Sequence, residues 1–319
     1  MNLWKLRLSM FGTLALIFGL STIFMTAVLL VTGTFDVLIL PIFVVGFNLA
    51  QWLIAPYIID AIYSVKEASR SEEPSLYNIV ERLSSRSGIE MPRVMIANIP
   101  IPNAFAYGSP IAGSRVAVTR GLLNELEDEE VEAVIGHELG HLKHRDAQIM
   151  MLASLLPAIL YYVGYSLMYA QRSRDEERGS IASVIGVGSI LLYWILSFLV
   201  LGFSRLREYY ADRHSAEVVD EGARKLSEAL AKIVSSTRRI RMVHRGLSEL
   251  NSFRTLFITD PENAESDAIQ VARSMGFRSD QALVKEILTR RLTAADRLLE
   301  LFSTHPNIVK RLRALQELM

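Results

Sequence analysis

The sequence has no cysteine among its 319 residues. That excludes a disulfide framework, a thiol nucleophile and thiolate ligation of a metal, so a bound ion would have to be held by His, Asp or Glu. Histidine is scarce too, at 6 residues, and neither sign of charge is in excess, with Lys plus Arg 34 against Asp plus Glu 34. Binding nucleic acid through its phosphates needs a surplus of cationic side chains, so nucleic acid is not an expected partner. There is no internal repeat and no low-complexity tract.

Charge is also missing locally. Residues 8–35, 37–59, 147–171 and 179–204 contain no Asp, Glu, Lys or Arg, and each run exceeds the roughly 20 apolar residues that carry a helix across ~30 Å of hydrocarbon. Buried helices of a large soluble core usually keep a polar stripe, and the mean hydropathy of +0.26 is high for a soluble domain. Lys5 and Arg7 precede the first run as in a secretory signal. However, the run is about twice the length of a signal core and no small-x-small cleavage site follows, so it is expected to stay as an anchor.

These runs predict an α+β membrane protein. It is mainly helical, with four transmembrane helices in two hairpins: a hairpin over 1–60 (spans about 8–35 and 37–59, turning at Thr32 to Asp36) and another over 147–204 (spans about 147–170 and 180–203, turning at Gln171 to Ser180). Segments 61–146 and 205–319 then lie on one side with Lys66, Arg70, Arg205 and Arg207, which the positive-inside bias makes the cytoplasmic side of a cell membrane. The loop at 171–180 opposes this with Arg172, Arg174 and Arg178, set against Asp175, Glu176 and Glu177.

Within 61–146, Pro74 to Ser84 reads as an amphipathic helix. Arg93 to Ile99, Ala104 to Tyr107 and Arg115 to Thr119 read as strands of a small sheet, with turn chemistry at Gly108 to Ser114. Strands around Ala104 and Val116 would offer an edge on which an extended peptide, contacting Ala104 and Phe105, adds through its backbone. After residue 204 the chain reads as helical, with a loop at Thr259 to Glu265.

A helix is signalled from Asp128, taken as its N-cap, and it carries His137-Glu138-Leu139-Gly140-His141. Side chains four apart share one face about 6 Å apart, so both imidazoles can reach one zinc ion at ~2.1 Å, with Glu138 placed to take a proton from the attacking water. Proteases of this kind keep three protein ligands. His144 is nearest in sequence, but three ligands along one rod surround a tetrahedral ion poorly. Glu208 fits better: it lies about 9 Å beyond the fourth span, as His141 lies about 9 Å before the third, and an antiparallel pair brings them level. The bland alternative for Glu208 is an exposed acid paired with Arg205. Asp212, one turn on, could hold the free ring nitrogen of a ligating His.

His-Glu-Leu-Gly-His with Asp146, together with Ser204-Arg-Leu-Arg-Glu-Tyr-Tyr-Ala-Asp212, resembles the HtpX-type membrane zinc endopeptidases, a gluzincin family that also contains the prenyl-protein endopeptidases. Pro102-Asn-Ala-Phe-Ala106, the run from Gly121 into the His helix, and Ser303-Thr-His-Pro306 resemble the same family, and only about 238–291 shows no likeness. The resemblance implies one zinc per chain on His137, His141 and Glu208, with Glu138 as base and Asp146 beside Asp212 behind the ligands. It further implies that Asn103 and His305 lie next to the substrate, and a role in quality control of damaged or misfolded membrane proteins. Two other readings are a processing peptidase for lipid-modified proteins and a non-catalytic membrane scaffold with structural zinc. A structural site would close all four positions and has no use for Glu138. His214 is expected to be structural.

Overall fold

The computed structural model of the chain describes residues 36–170, 176–243 and 279–319. The elements in chain order are α1 (Asp36–Ile62), β1 (Val65–Glu67), α2 (Pro74–Ser87), β2 (Arg93–Ala97), β3 (Ala104–Ser109), β4 (Gly113–Thr119), α3 (Arg120–Glu125), α4 (Asp128–Lys143), α5 (Asp146–Ala170), α6 (Glu176–Val218), α7 (Gly222–Val243), α8 (Asp280–Thr289), α9 (Ala294–Leu301) and α10 (Ile308–Gln316). The expected first span at 8–35, most of the turn at 32–36, the loop at 171–175 and the loop at 259–265 lie outside these residues. The described part is mostly helical with a small mixed sheet.

The described residues fall into two compact units. One joins Ile54–Ala147 to 205–243 and 279–319; the other holds 36–53, 148–170 and 176–204. In the second unit, α5 and α6 approach closely at Gly164, where a Cβ would stand 2.9 Å from the carbonyl oxygen of Gly186. Its outward side chains are apolar, including Tyr161, Val184, Leu191 and Trp194. Among the described residues, two helices are long and apolar enough to cross a membrane, Asp146–Tyr165 and Ile181–Val218. α1 carries the apolar run 37–59.

The first unit is built on the sheet, ordered β1-β2-β4-β3 with β2 parallel to β4 and the outer pairs antiparallel. Alternation along the strands sorts side chains to two faces. Val94, Ile96, Ala104, Val116 and Val118 enter the main core with α2, α4, α7, α8 and α10, while Met95, Ala97, Phe105, Tyr107 and Ala117 pack on the other face with Tyr63 and Val65. β3 is an edge, but β4 is central, so Val116 offers no free edge: its ladder is occupied by Ala106 on one side and Val94 on the other. β1 escapes sequence reading because Val-Lys-Glu is too short and too polar to show a strand pattern.

α2 begins on Pro74 and buries Leu76, Ile79, Val80 and Leu83, which share one helix face. It runs to Ser87, three residues further than expected, and stops at Gly88 in the left-handed region (φ 68°), whose N–H caps the carbonyls of Ser84 and Ser85. α4 is capped by Glu127 and not by Asp128: Glu127 and Glu130 exchange side-chain and backbone hydrogen bonds in a capping box, which Asp128, one residue inside, cannot make.

Candidate metal centre

Two glycines position the site. A Cβ on Gly140 would stand 3.1 Å from Ala211 Cα and 3.1 Å from His214 Cβ, and one on Gly136 would stand 2.9 Å from Val219 Cγ2 and 3.4 Å from Ser215 Cα. The C-terminal third of α6 therefore lies in a groove cut along α4, held also by Ser215 Oγ donating to the Ala133 carbonyl at 2.6 Å. This contact sets Glu208 and Asp212 beside His137 and His141.

The Nε2 atoms of His137 and His141 face each other at 3.2 Å. Glu208 reaches both, Oε1 at 3.5 Å from His141 Nε2 and Oε2 at 3.7 Å from His137 Nε2. These three side chains form the one group of His, Asp and Glu among the described residues whose donor atoms all lie within 4.8 Å, a geometry that could hold a metal ion. The donor set passes a direct test. Each ring presents its other nitrogen to a carboxylate, His137 Nδ1 to Asp212 at 2.9 Å and His141 Nδ1 to Asp146 at 2.5 Å. Those carboxylates orient the rings so that both Nε2 atoms face one place, where a bound metal ion would take the position of an Nε2 proton. A tetrahedral ion with bonds of ~2.1 Å sets donor separations of about 3.4 Å, close to those observed. Glu208 Oε2 is also buried without an aligned hydrogen-bond partner.

Both carboxylates are themselves backed by arginine. Arg207 stands 2.8 Å from Asp146. Arg311, wholly buried, forks Asp212 through Nε at 2.9 Å and Nη2 at 2.5 Å, and its Nη1 lies 3.1 Å from Glu208 Oε2. Burial alone would favour neutral carboxyl groups, yet Asp212 is held below the usual carboxylate range by Arg311 and His137, Asp146 by His141 and Arg207, and Glu208 well below it by His305 and Arg311. Burial also disfavours a charged His141, but Asp146, Glu208 and Glu138 outweigh it and bring the ring up to about 9 in the metal-free protein. Arg311 was not foreseen: within Lys310-Arg-Leu-Arg313 nothing in the sequence separates the buried arginine from the others.

Glu138 is buried, and its Oε2 accepts the Ala106 N–H of edge strand β3 at 2.7 Å. Ala104 and Ala106 are on the core side of that strand; the Phe105 ring is on the opposite face against Tyr63 and Tyr107. Phe105 can thus meet a ligand at the edge with its backbone only. Asn103 is buried just before β3, its N–H donating to Thr119 Oγ1 at 2.9 Å. His305 is buried with Nδ1 3.1 Å from Glu208 Oε2, though neither ring nitrogen has an aligned hydrogen-bond partner. Pro306 lies just before α10, whose N-cap Asn307 accepts from the Val309 N–H at 2.9 Å.

Two side chains stand apart from the group. His144 caps the C-terminus of α4 with its ring edge-on to Tyr210 at 4.3 Å. Buried His214 shares a 2.9 Å hydrogen bond with Ser87 Oγ, and burial, with Lys143, His144 and His137, pushes its ring down to about 4. Arg205 is not paired with Glu208 either; it donates to the carbonyls of Glu300 at 2.8 Å and Ser303 at 2.7 Å.

Residues 70–319 match peptidase family M48. A protein named Protease HtpX homolog from Thermoplasma acidophilum is 39% identical over 286 residues, covering 88% of this chain and 84% of the relative. One of the same name from Aeropyrum pernix is 37% identical over 316 residues, covering 98% and 95%. Among solved structures, Ste24p from S. mikatae matches 98% of this chain with a TM-score of 0.56 at 17% identity, a likeness of fold; this chain spans 66% of that one. The chain belongs to peptidase family M48. It is a metalloendopeptidase and a membrane protein, which removes the scaffold reading.

Proposed function

We propose that the protein is a zinc-dependent endopeptidase with one zinc ion held by His137, His141 and Glu208 and with Glu138 as the general base. The observation that carries the proposal is the convergence of ligand atoms of His137, His141 and Glu208 within 4.8 Å, with a carboxylate behind each ring and Glu138 on the same helix as the histidines. Zinc, when bound, supplies Lewis acidity to the scissile carbonyl and acidifies the attacking water. Glu138 takes the proton from that water and passes it to the leaving amine nitrogen. The Ala106 N–H holds the Glu138 carboxylate against β3, so the base waits at the edge where an extended peptide would lie beside Asn103, Ala104 and Phe105. Asp212 and Asp146 fix the ring tautomers. His305, packed on Glu208, is the side chain assigned to the developing oxyanion.

The membrane part is proposed to be two hairpins, 1–60 and 147–204, crossing the cell membrane four times, with 61–146 and 205–319 on the cytoplasmic side. Recognition through backbone hydrogen bonds tolerates many sequences. That suits quality control of damaged or misfolded membrane proteins better than processing one kind of lipid-modified tail. The test is cleavage of casein by the purified protein in detergent. Activity should vanish with a chelator and return with stoichiometric zinc; chelator-resistant cleavage would overturn the proposal.

A further inference from the structure

α9 is amphipathic in the wrong sense for a helix in water. Its buried side chains are the carboxylates Asp296 and Glu300, at 5% and 7% exposure, while Leu298, Leu299 and Leu301 are 60%, 49% and 48% exposed. Each acid is engaged inward. Asp296 closes the capping box with Thr293 and pairs with Arg290 at 3.0 Å; Glu300 accepts the Asn307 N–H and pairs with Lys310. At 3.6 residues per turn the three leucines cover an arc of about 160° opposite the two acids. Phe302, 61% exposed, follows them directly. Contiguous exposed leucines of this kind mark an interaction surface.

What covers that face is indicated by Arg205. It is the first charged residue after the apolar run 179–204. Its guanidinium donates to the carbonyls at the end of α9, Glu300 at 2.8 Å and Ser303 at 2.7 Å. The C-terminal end of α9 is therefore tethered within one side chain of the point where α6 leaves its apolar run. Arg291 and Arg297 are exposed beside the leucines, the cationic flank that favours anionic headgroups.

We propose that α9 is a membrane-docking helix, its Leu298–Leu299–Leu301 face sunk into the lipid leaflet on the side where α6 emerges. This rests on the reading of α6 as membrane-crossing. The consequence reaches the catalytic centre, because the turn after α9 carries His305 to Glu208.

The absence of native cysteine makes the test clean. Single cysteines replace Leu299, Leu191 or Asp220 in the full-length protein. Each is labelled with bimane and reconstituted in phosphatidylcholine–phosphatidylglycerol vesicles. Quenching is then compared between lipids brominated on their acyl chains and aqueous iodide. Asp220 is a solvent reference and Leu191 reports the apolar run of α6. The proposal expects bromolipid quenching at 299 comparable to that at 191, and iodide quenching at 299 lower than at 220 by about threefold or more. Iodide quenching equal to that at 220 would overturn it. Shielding from both quenchers would also overturn it, by showing that protein, either this chain or a second copy, covers the leucines. A bromolipid signal at 299 without one at 191 would keep the docking helix and refute the crossing.

Discussion

Removing the Arg311 charge tests the electrostatics of the centre without any metal present. Arg311→Met keeps most of the side-chain volume but leaves Asp212 and Glu208, both buried, without the guanidinium that spans them at 2.5–3.1 Å. Breaking a buried pair by deleting one partner costs about 3–5 kcal/mol. For a unit of this size that is a fall in Tm on the order of 10 °C near pH 7.5. The sign with pH is distinctive. In the native protein both carboxyls are held below their ordinary values, so they contribute stability above about pH 4 and lose it as pH falls further. Without Arg311, burial instead favours their protonated forms, and acidification relieves the cost. The assay is thermal unfolding of chelator-treated protein in detergent at fixed scan rate, wild type against variant, from pH 8 to 4.5. The gap should narrow as pH falls. A gap that stays constant across that range would show that Arg311 only fills space, and the electrostatic argument would fail.

Glu138→Gln should bind zinc at one per chain but lose casein cleavage by about a hundredfold or more, since the proton acceptor goes and no ligand is touched; substantial turnover in a quenched-peptide assay would refute the assignment. Glu208→Ala should lower zinc content of purified protein while His144→Ala leaves it unchanged, as the His144 ring lies on Tyr210; metal analysis giving the reverse order would transfer the third position. His214, held down to about 4 by burial, contributes stability as a neutral ring above about pH 6.5 that is lost as pH falls through about 4. His214→Gln should therefore flatten the decline of Tm between pH 7 and 5 by an amount worth at most about 2 kcal/mol, and an unchanged slope would exclude His214 as the titrating group.

What the sequence revealed, and what it hid, follows from how local each signal is. The pair His137 and His141 is legible because helix periodicity alone puts residues four apart on one face. Glu208 was reachable by an argument of length: two apolar runs of similar extent, if they form a hairpin, would return the chain to the level at which it left. The α4–α6 contact that brings Glu208 to the histidines depends on Gly136 and Gly140, whose function is visible only once the opposing backbone is in place. Glu127 was passed over as N-cap because Asp is the better capping residue in general, and the reciprocal bonds with Glu130 reversed that preference. The burial of Arg311 is set by the fold alone, and a Lys-Arg-rich helix reads as a solvated face until its partners are seen.

The last third of α6 explains why so much of the site comes from distant parts of the chain. One face, Ala211 and Ser215 with Val219 just past the helix end, at intervals of four, fits the glycine groove of α4. A neighbouring face, Arg205, Glu208 and Asp212 at intervals of three and four, meets the C-terminal segment: Arg205 holds the end of α9, Glu208 touches His305, and Asp212 is forked by Arg311. Glu208 and Asp212 also reach the histidines, so each of these acids joins α4 to residues 305–311. An apolar residue at 208 or 212 would separate both partners at once. Loss of Arg311 with α10 would strand two buried carboxylates without their cation, at a cost of about 3–5 kcal/mol for a broken buried pair. The His-Glu-x-x-His helix is therefore the recognisable part of the centre, while α6 and the C-terminal segment supply the charge balance that lets its acids stay ionised in a buried site.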